Sequence, residues 1–195
     1  TLTTSGVAGQ GGAVLAALAG TGGLTKTTAG TLVLAGPNTY AGLTDVQAGV
    51  LMILGNSLGA TGAGNDTVVA GGAQLRFQSG LTSSEAISVS GAGMDVSNPG
   101  VLRNLNGVNT LSSTVTLNAS STLQSDAGNL VFGNGTTSID GSAVNADLTL
   151  QGAGTFTVNS PVNLGSGTLT KDGSGALVFG YNIGATVPTV TWNAG

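Results

Sequence analysis

The chain has 195 residues, enough for one domain with a sizeable core. It holds only 4 Lys+Arg and 8 Asp+Glu, so 6% of it is charged, against about 25% in an ordinary soluble protein, and the net charge is −4. His and Cys are absent, which excludes Cys–His and Ser–His–Asp nucleophiles, the common zinc ligand sets and any disulfide framework; scarce basic residues argue against nucleic acid or an anionic membrane as partner.

Near the start, Thr1 opens no charged and apolar leader, so no signal peptide is read in this chain. Ala13–Ala19 is an apolar stretch flanked by Gly, which reads as a buried strand or corner. Leu24–Asn38 then returns as Leu169–Asn182, aligned through Leu-Thr-Lys, a Gly, a Leu-Val-apolar triplet and the later Gly and Asn. The strongly apolar run Val50–Leu54, like Ala13–Ala19, is far short of the roughly 20 residues that span a bilayer as a helix. Glu85 is the one Glu and Lys26 and Lys171 are the only Lys, so surface helix formers are nearly missing.

Between the two copies a smaller unit repeats: two apolar residues one apart, followed by Gly or Asn. It occurs at Leu32/Leu34, Leu51/Ile53, Leu75/Phe77, Ile87/Val89, Val115/Leu117, Leu130/Phe132, Leu148/Leu150, Phe156/Val158 and Leu177/Phe179. Such a doublet puts both side chains on one face of a strand. One doublet buries too little to hold a strand, but doublets stacked over each other build a continuous column, the logic of a solenoid. Ser, Thr and Asn suit the outer positions, because rows of hydroxyls and amides stack without like-charge repulsion. The 35 Gly, together with Asn, would supply corners of positive φ, with Gly36–Asn38, Asn104–Gly107 and Gly133–Gly135 as candidates. The expectation is an all-β chain of one solenoid over 1–195, eight or nine turns and about 40 Å long at ~4.8 Å per strand. An antiparallel sandwich is the alternative; aromatics at 4% and the lack of surface Lys and Glu speak against it.

Chemistry-bearing residues are few. Asp126, Asp140 and Asp147 are close in sequence, and stacking could bring Asp126 and Asp147 onto neighbouring turns, as glycoside hydrolysis would need; solvated corners or Asx turns are the plainer reading. Arg76 and Arg103 read as isolated, without the acidic cluster that a lyase would use. Gly62-Ala63-Gly64-Asn65-Asp66 resembles a single calcium-binding nonapeptide without enough ligands, and Gly91-Ala92-Gly93 lacks the context of a phosphate loop. Lys26 and Lys171 take equivalent repeat positions, which suits snorkelling at the edge of the stack. Trp192, Tyr40 and Tyr181 could stack on sugars, with corner packing favoured for the tyrosines. No catalytic, cofactor or metal residues are assigned, and the expectation is not an enzyme.

Leu24-Thr25-Lys26 through Asn38-Thr39-Tyr40-Ala41-Gly42, followed by Val46-Gln47-Ala48-Gly49-Val50-Leu51, resembles the autotransporter-associated β-strand repeat, also called the passenger-associated transport repeat. Thr28 stands where Gly is usual, Pro37 precedes the Asn, and the second copy (near 168–195) decays after Asn182. The resemblance implies a right-handed parallel β-helix in a bacterial secreted or surface-displayed passenger. It further implies an outer-membrane translocator barrel as partner during export. The barrel pattern does not occur here, so the chain reads as an internal segment of a longer passenger. The lack of Cys fits export through an oxidising compartment. A structural, adhesin-like stalk whose repeat assists export is expected. The alternatives are a fibre subunit stacking end to end as a homo-oligomer, a passenger carrying a host or glycan ligand and, last, a glycan-active enzyme.

Overall fold

The computed structural model describes residues 1–3, 6–55, 58–95, 97–133, 138–180 and 189–193. Period-2 doublets separated by glycine corners leave each short strand one place to bury its apolar face: over the strand one turn earlier. The chain accordingly winds as a parallel β-solenoid of about eight turns, each with three faces.

The first face stacks Val7–Gly9, Leu24–Lys26, Thr44–Val46, Thr67–Val69, Ile87–Gly91, the start of Val115–Ser125, Ile139–Asp140 and Val162–Asn163. The second stacks Gly12–Val14, Thr31–Leu34, Gly49–Leu54, Ala73–Gln78, Leu102–Asn104, the end of Val115–Ser125, Leu148–Gln151, Thr168–Lys171 and Thr189–Trp192. The third stacks Thr82–Ser83, Val108–Leu111, Asn129–Phe132, Thr155–Val158 and Leu177–Phe179. In the earliest turns that position is held by Leu2–Thr3 on Leu18–Ala19, continued by the bonds Thr39 N–H to Leu18 O and Ala60 N–H to Tyr40 O. One antiparallel pair among the described residues, Gly93–Asp95 with Asn98–Pro99, forms a small hairpin between the first and second faces of the fifth turn.

Register makes the core. Leu32, Leu51, Leu75, Leu102, Leu123 and Leu150 succeed each other in one line on the second face, all buried. Each such leucine contributes about 1.5–3 kcal/mol of apolar burial. Eight of the nine doublets are buried at both members; Leu177/Phe179 is half-buried. Ala13–Ala19 divides into the end of one strand, an exposed corner at Leu15 and a strand start at Leu18.

Corners differ from expectation. Gly80, Gly107 and Gly128 stack at the corner between the second and third faces, all with positive φ. A Cβ on Gly128 would lie 2.1 Å from Gly107 O, so the chain passes too close for any side chain. Asn38, Asn104 and Asn106, in contrast, do not supply positive φ: among described residues only Ser79 and Asn145 do so besides glycine. Asn38 Oδ1 accepts from Leu18 N–H at 2.9 Å, and Asn109 Oδ1 accepts from Leu81 N–H at 2.7 Å. These amides serve backbone groups that the corner leaves unpaired. Of Gly133–Gly135, only Gly133 lies within the described residues, with φ +81.

Lys26 and Lys171 do not occupy equivalent places. The first repeat copy puts its lysine on the first face, in register with Gly9 and Val46. The second puts Lys171 on the second face, in register with Leu150 and Trp192. Both side chains are buried inside the coil instead of snorkelling at its edge.

Candidate functional site: an arginine pair on the second face

Outward positions alternate with the leucine line, so the second face carries a matching outer line: Val33, Met52, Arg76, Arg103, Gln124 and Gln151. Arg76 and Arg103 are therefore direct neighbours on adjacent parallel strands, ~4.8 Å apart at the backbone. This corrects the view of two isolated arginines, since turns of unequal length bring them together. Arg103 Nε donates to Asp126 Oδ2 at 2.8 Å, and Gln124 Nε2 donates to Asp126 Oδ1 at 2.8 Å. Arg76 Nε donates to Gln74 Oε1 at 2.5 Å. Gln74 Nε2 in turn donates to Pro99 O and Gly100 O, at 3.0 and 2.6 Å, which ties the hairpin to the strand bearing Arg76. Partial burial, and then the charge of Arg103, hold the Arg76 guanidinium below its ordinary pKa, while Asp126 opposes the shift. Gln124 Oε1 is a buried acceptor without a hydrogen-bond partner. Neither Gln74 nor Gln124 stands out in the sequence; only their register beside the arginines marks them.

Asp126 and Asp147 do not form a hydrolytic pair. Asp147 N–H donates to Ser120 Oγ at 3.0 Å, which sets Asp147 at the start of the second face, whereas Asp126 closes the same face one turn earlier. The six residues from Ser120 to Asp126 span on the order of 20 Å, against the ~5–9.5 Å of glycosidase carboxylates. Asp147 instead accepts from Thr168 N–H and Oγ1, both at 2.8 Å, and these bonds lower its pKa. Asp140 caps Ser142 N–H and Oγ, an Asx turn. In the loop at Gly62–Asp66, Asn65 Oδ1 accepts from Gly42 N–H of the preceding turn. Among the described residues no group of three or more Asp or Glu could hold a metal ion.

A second polar cluster is internal. Tyr40 is buried with its OH 2.7 Å from Thr44 Oγ1, so its ring cannot stack on a sugar. Thr67, stacked over Thr44, donates from Oγ1 to Glu85 Oε1 at 2.6 Å. Burial pushes the Glu85 carboxyl up to about 8, against the bond from Thr67, with the charge of Asp66 adding to the rise. Burial also raises the Tyr40 phenol. The sequence shows polar residues at inward positions but not that they pair. Trp192 is 59% exposed, and Tyr181 lies outside the described residues.

Both lysine ammonium groups face carbonyls. Lys26 Nζ donates to Ala48 O at 3.1 Å and to Thr28 O; Lys171 Nζ donates to Asp172 O and Gly173 O at 2.7 and 2.9 Å. Burial lowers the pKa of each. With both lysines spent inside corners, the arginine pair is the only place on the described surface where side-chain cations gather.

No curated protein and no solved structure matches the chain. Residues 24–53 match the family model of the passenger-associated transport repeat. That stretch runs from Leu24 on the first face, once around the coil, to Ile53 on the second, and it contains its own stacking partners: Leu24 over Thr44, Lys26 over Val46, Leu32 over Leu51 and Leu34 over Ile53. A repeat of this family implies a secreted or surface-exposed protein. Residues 24–53 are thus similar to a passenger-associated transport repeat, and they are built into a parallel β-solenoid.

Proposed function

We propose that this chain is a non-enzymatic passenger segment, a rigid rod at the bacterial surface, and that residues 24–53 assist its export through an outer-membrane barrel by starting the stack. The observation that carries this reading is the self-covering of the repeat. A single turn exposes both edges of its strands, but 24–53 is one turn plus two further faces, so it can form a two-layered piece without help from the rest of the chain. Every later turn then adds on an existing layer and buries apolar area worth about 25 cal/mol per Å². Folding outside the membrane in this order biases the chain outward. Low charge and small side chains favour passage in an unfolded state.

The test uses two deletions, each of one full turn. Removing 24–43 would let Val7–Gly9 stack on Thr44–Val46 and leave the coil in register, but it breaks the repeat. Removing 67–86 spares the repeat and keeps the register between Thr44–Val46 and Ile87–Gly91. In the passenger fused to a translocator barrel, the first deletion is expected to cut surface display several-fold and the second to leave it near the wild-type level. Equal display from both deletions contradicts the export role.

A further inference from the structure

We propose that Arg76 and Arg103 form a recognition site for a carboxylate-bearing oligosaccharide lying along the second face. This inference is independent of the export reading and concerns what the exposed rod binds.

The first argument is charge. In-register pairing places Arg76 and Arg103 at the same outward position of adjacent parallel strands, close enough for the charge of Arg103 to act on Arg76. Asp126 neutralises Arg103 at 2.8 Å, while the partner of Arg76 is the neutral amide of Gln74, through Nε alone. The guanidinium of Arg76 keeps its terminal N–H groups without a partner among the described residues. A planar carboxylate matches that geometry, since two of its oxygens can accept from one guanidinium edge.

The second argument is what surrounds the pair. On later turns the outer line continues as Gln124 and Gln151, flanked by Thr122, Thr149, Thr170 and Thr191 in successive register. Gln124 is held by Asp126, while Gln151 and the threonines are uncharged donors and acceptors repeated at the ~4.8 Å strand spacing, which offers hydroxyl-rich rings bonds along the axis of the rod. On the side toward the first face, the Gly93–Asp95 and Asn98–Pro99 hairpin packs beside Ala73–Gln78 and gives the cluster a wall. A small anion would use the arginines and nothing else. A sugar acid joined to further sugars would use both features.

The probe is trigalacturonate, with its methyl ester and sodium acetate as controls, followed by calorimetry and by the arginine Nε–H resonances of the wild-type chain. Binding of trigalacturonate is expected, with the resonances of Arg76 and Arg103 shifting, a loss of at least about tenfold in affinity in Arg76→Gln, and a smaller loss in Arg76→Lys. The ester, which keeps the hydroxyls but not the charge, should bind at least tenfold more weakly. Comparable binding of the ester, or wild-type affinity in a folded Arg76→Gln, overturns the proposal. Acetate binding as tightly as the trimer also overturns it, because the site then takes a free anion and the hydroxyl ladder plays no part. Since the resonance shifts are read on the wild type, their absence counts against the proposal even if the variants fail to fold.

Discussion

Lys26 and Lys171 begin two copies of one sequence motif yet lie on different faces of the coil, and in both the ammonium donates to the carbonyl two residues ahead, Thr28 O and Gly173 O. The motif is thus a unit of strand, corner and strand that fits at either corner. The lysine braces the corner it precedes by satisfying carbonyls that no sheet neighbour reaches.

Lys26→Met keeps the apolar stem and removes the donor, leaving Thr28 O and Ala48 O unbonded in the interior. The expected loss is about 1–3 kcal/mol of unfolding free energy by urea titration. Unchanged stability would mean that the lysine does not brace the corner.

Gly128→Ala tests the close approach of successive turns. With φ +73 and Gly107 O only 2.1 Å from the new Cβ, both backbone conformation and space oppose the substitution. A loss above about 2 kcal/mol is expected. Ala at Gly72, which also has positive φ but open space around it, should cost less. Equal losses would place the whole effect in φ and none in the stacking of turns.

Much of this architecture was legible in the residues because a period-2 apolar doublet has few ways to be buried. Leu51/Ile53 and Leu75/Phe77 could be assigned inward before any neighbour was known, and they stack directly on each other. What the doublets leave open is how many residues separate successive turns. That spacing decides that Arg103 meets Arg76 and Asp126, and that Asp147 meets Ser120 instead of Asp126. Asn104 also departs from the corner expectation: its register partner is Phe77, and its side chain is buried, bonding Ser125 Oγ and Ala127 O. A polar side chain at an inward position reads locally as a turn former, and only the stack shows that it has partners.

Glu85 gives a pH dependence of definite sign. Its carboxyl titrates near 8 in the folded chain and near 4.5 when unfolded, so between these values the folded state holds a proton that the unfolded state has lost. The contribution is full below the unfolded value and declines as pH rises through about 8. The melting temperature should therefore be higher at pH 5 than at pH 8, and Glu85→Gln should flatten that difference. A steeper slope in Glu85→Gln would contradict the assignment.

Leu102→Ala removes a fully buried member of the leucine line between Leu75 and Leu123. A loss of about 2–5 kcal/mol is expected in urea. Hydrogen exchange should rise most in the turns next to Leu102, because each turn contacts mainly its neighbours. A uniform rise along the rod would argue against a chain of nearest-neighbour contacts.

The stacking register itself can be read by cross-linking, since the chain has no cysteine of its own. Val131 and Thr157 are register partners on adjacent turns of the third face, and Val178 lies one turn beyond Thr157. The double variant Val131→Cys with Thr157→Cys places its Cα atoms within the 4.4–6.8 Å range of a disulfide and should oxidise readily, whereas Val131→Cys with Val178→Cys, two turns apart, should stay reduced. Rapid oxidation of the second pair and none of the first would contradict a parallel stack of turns in this register.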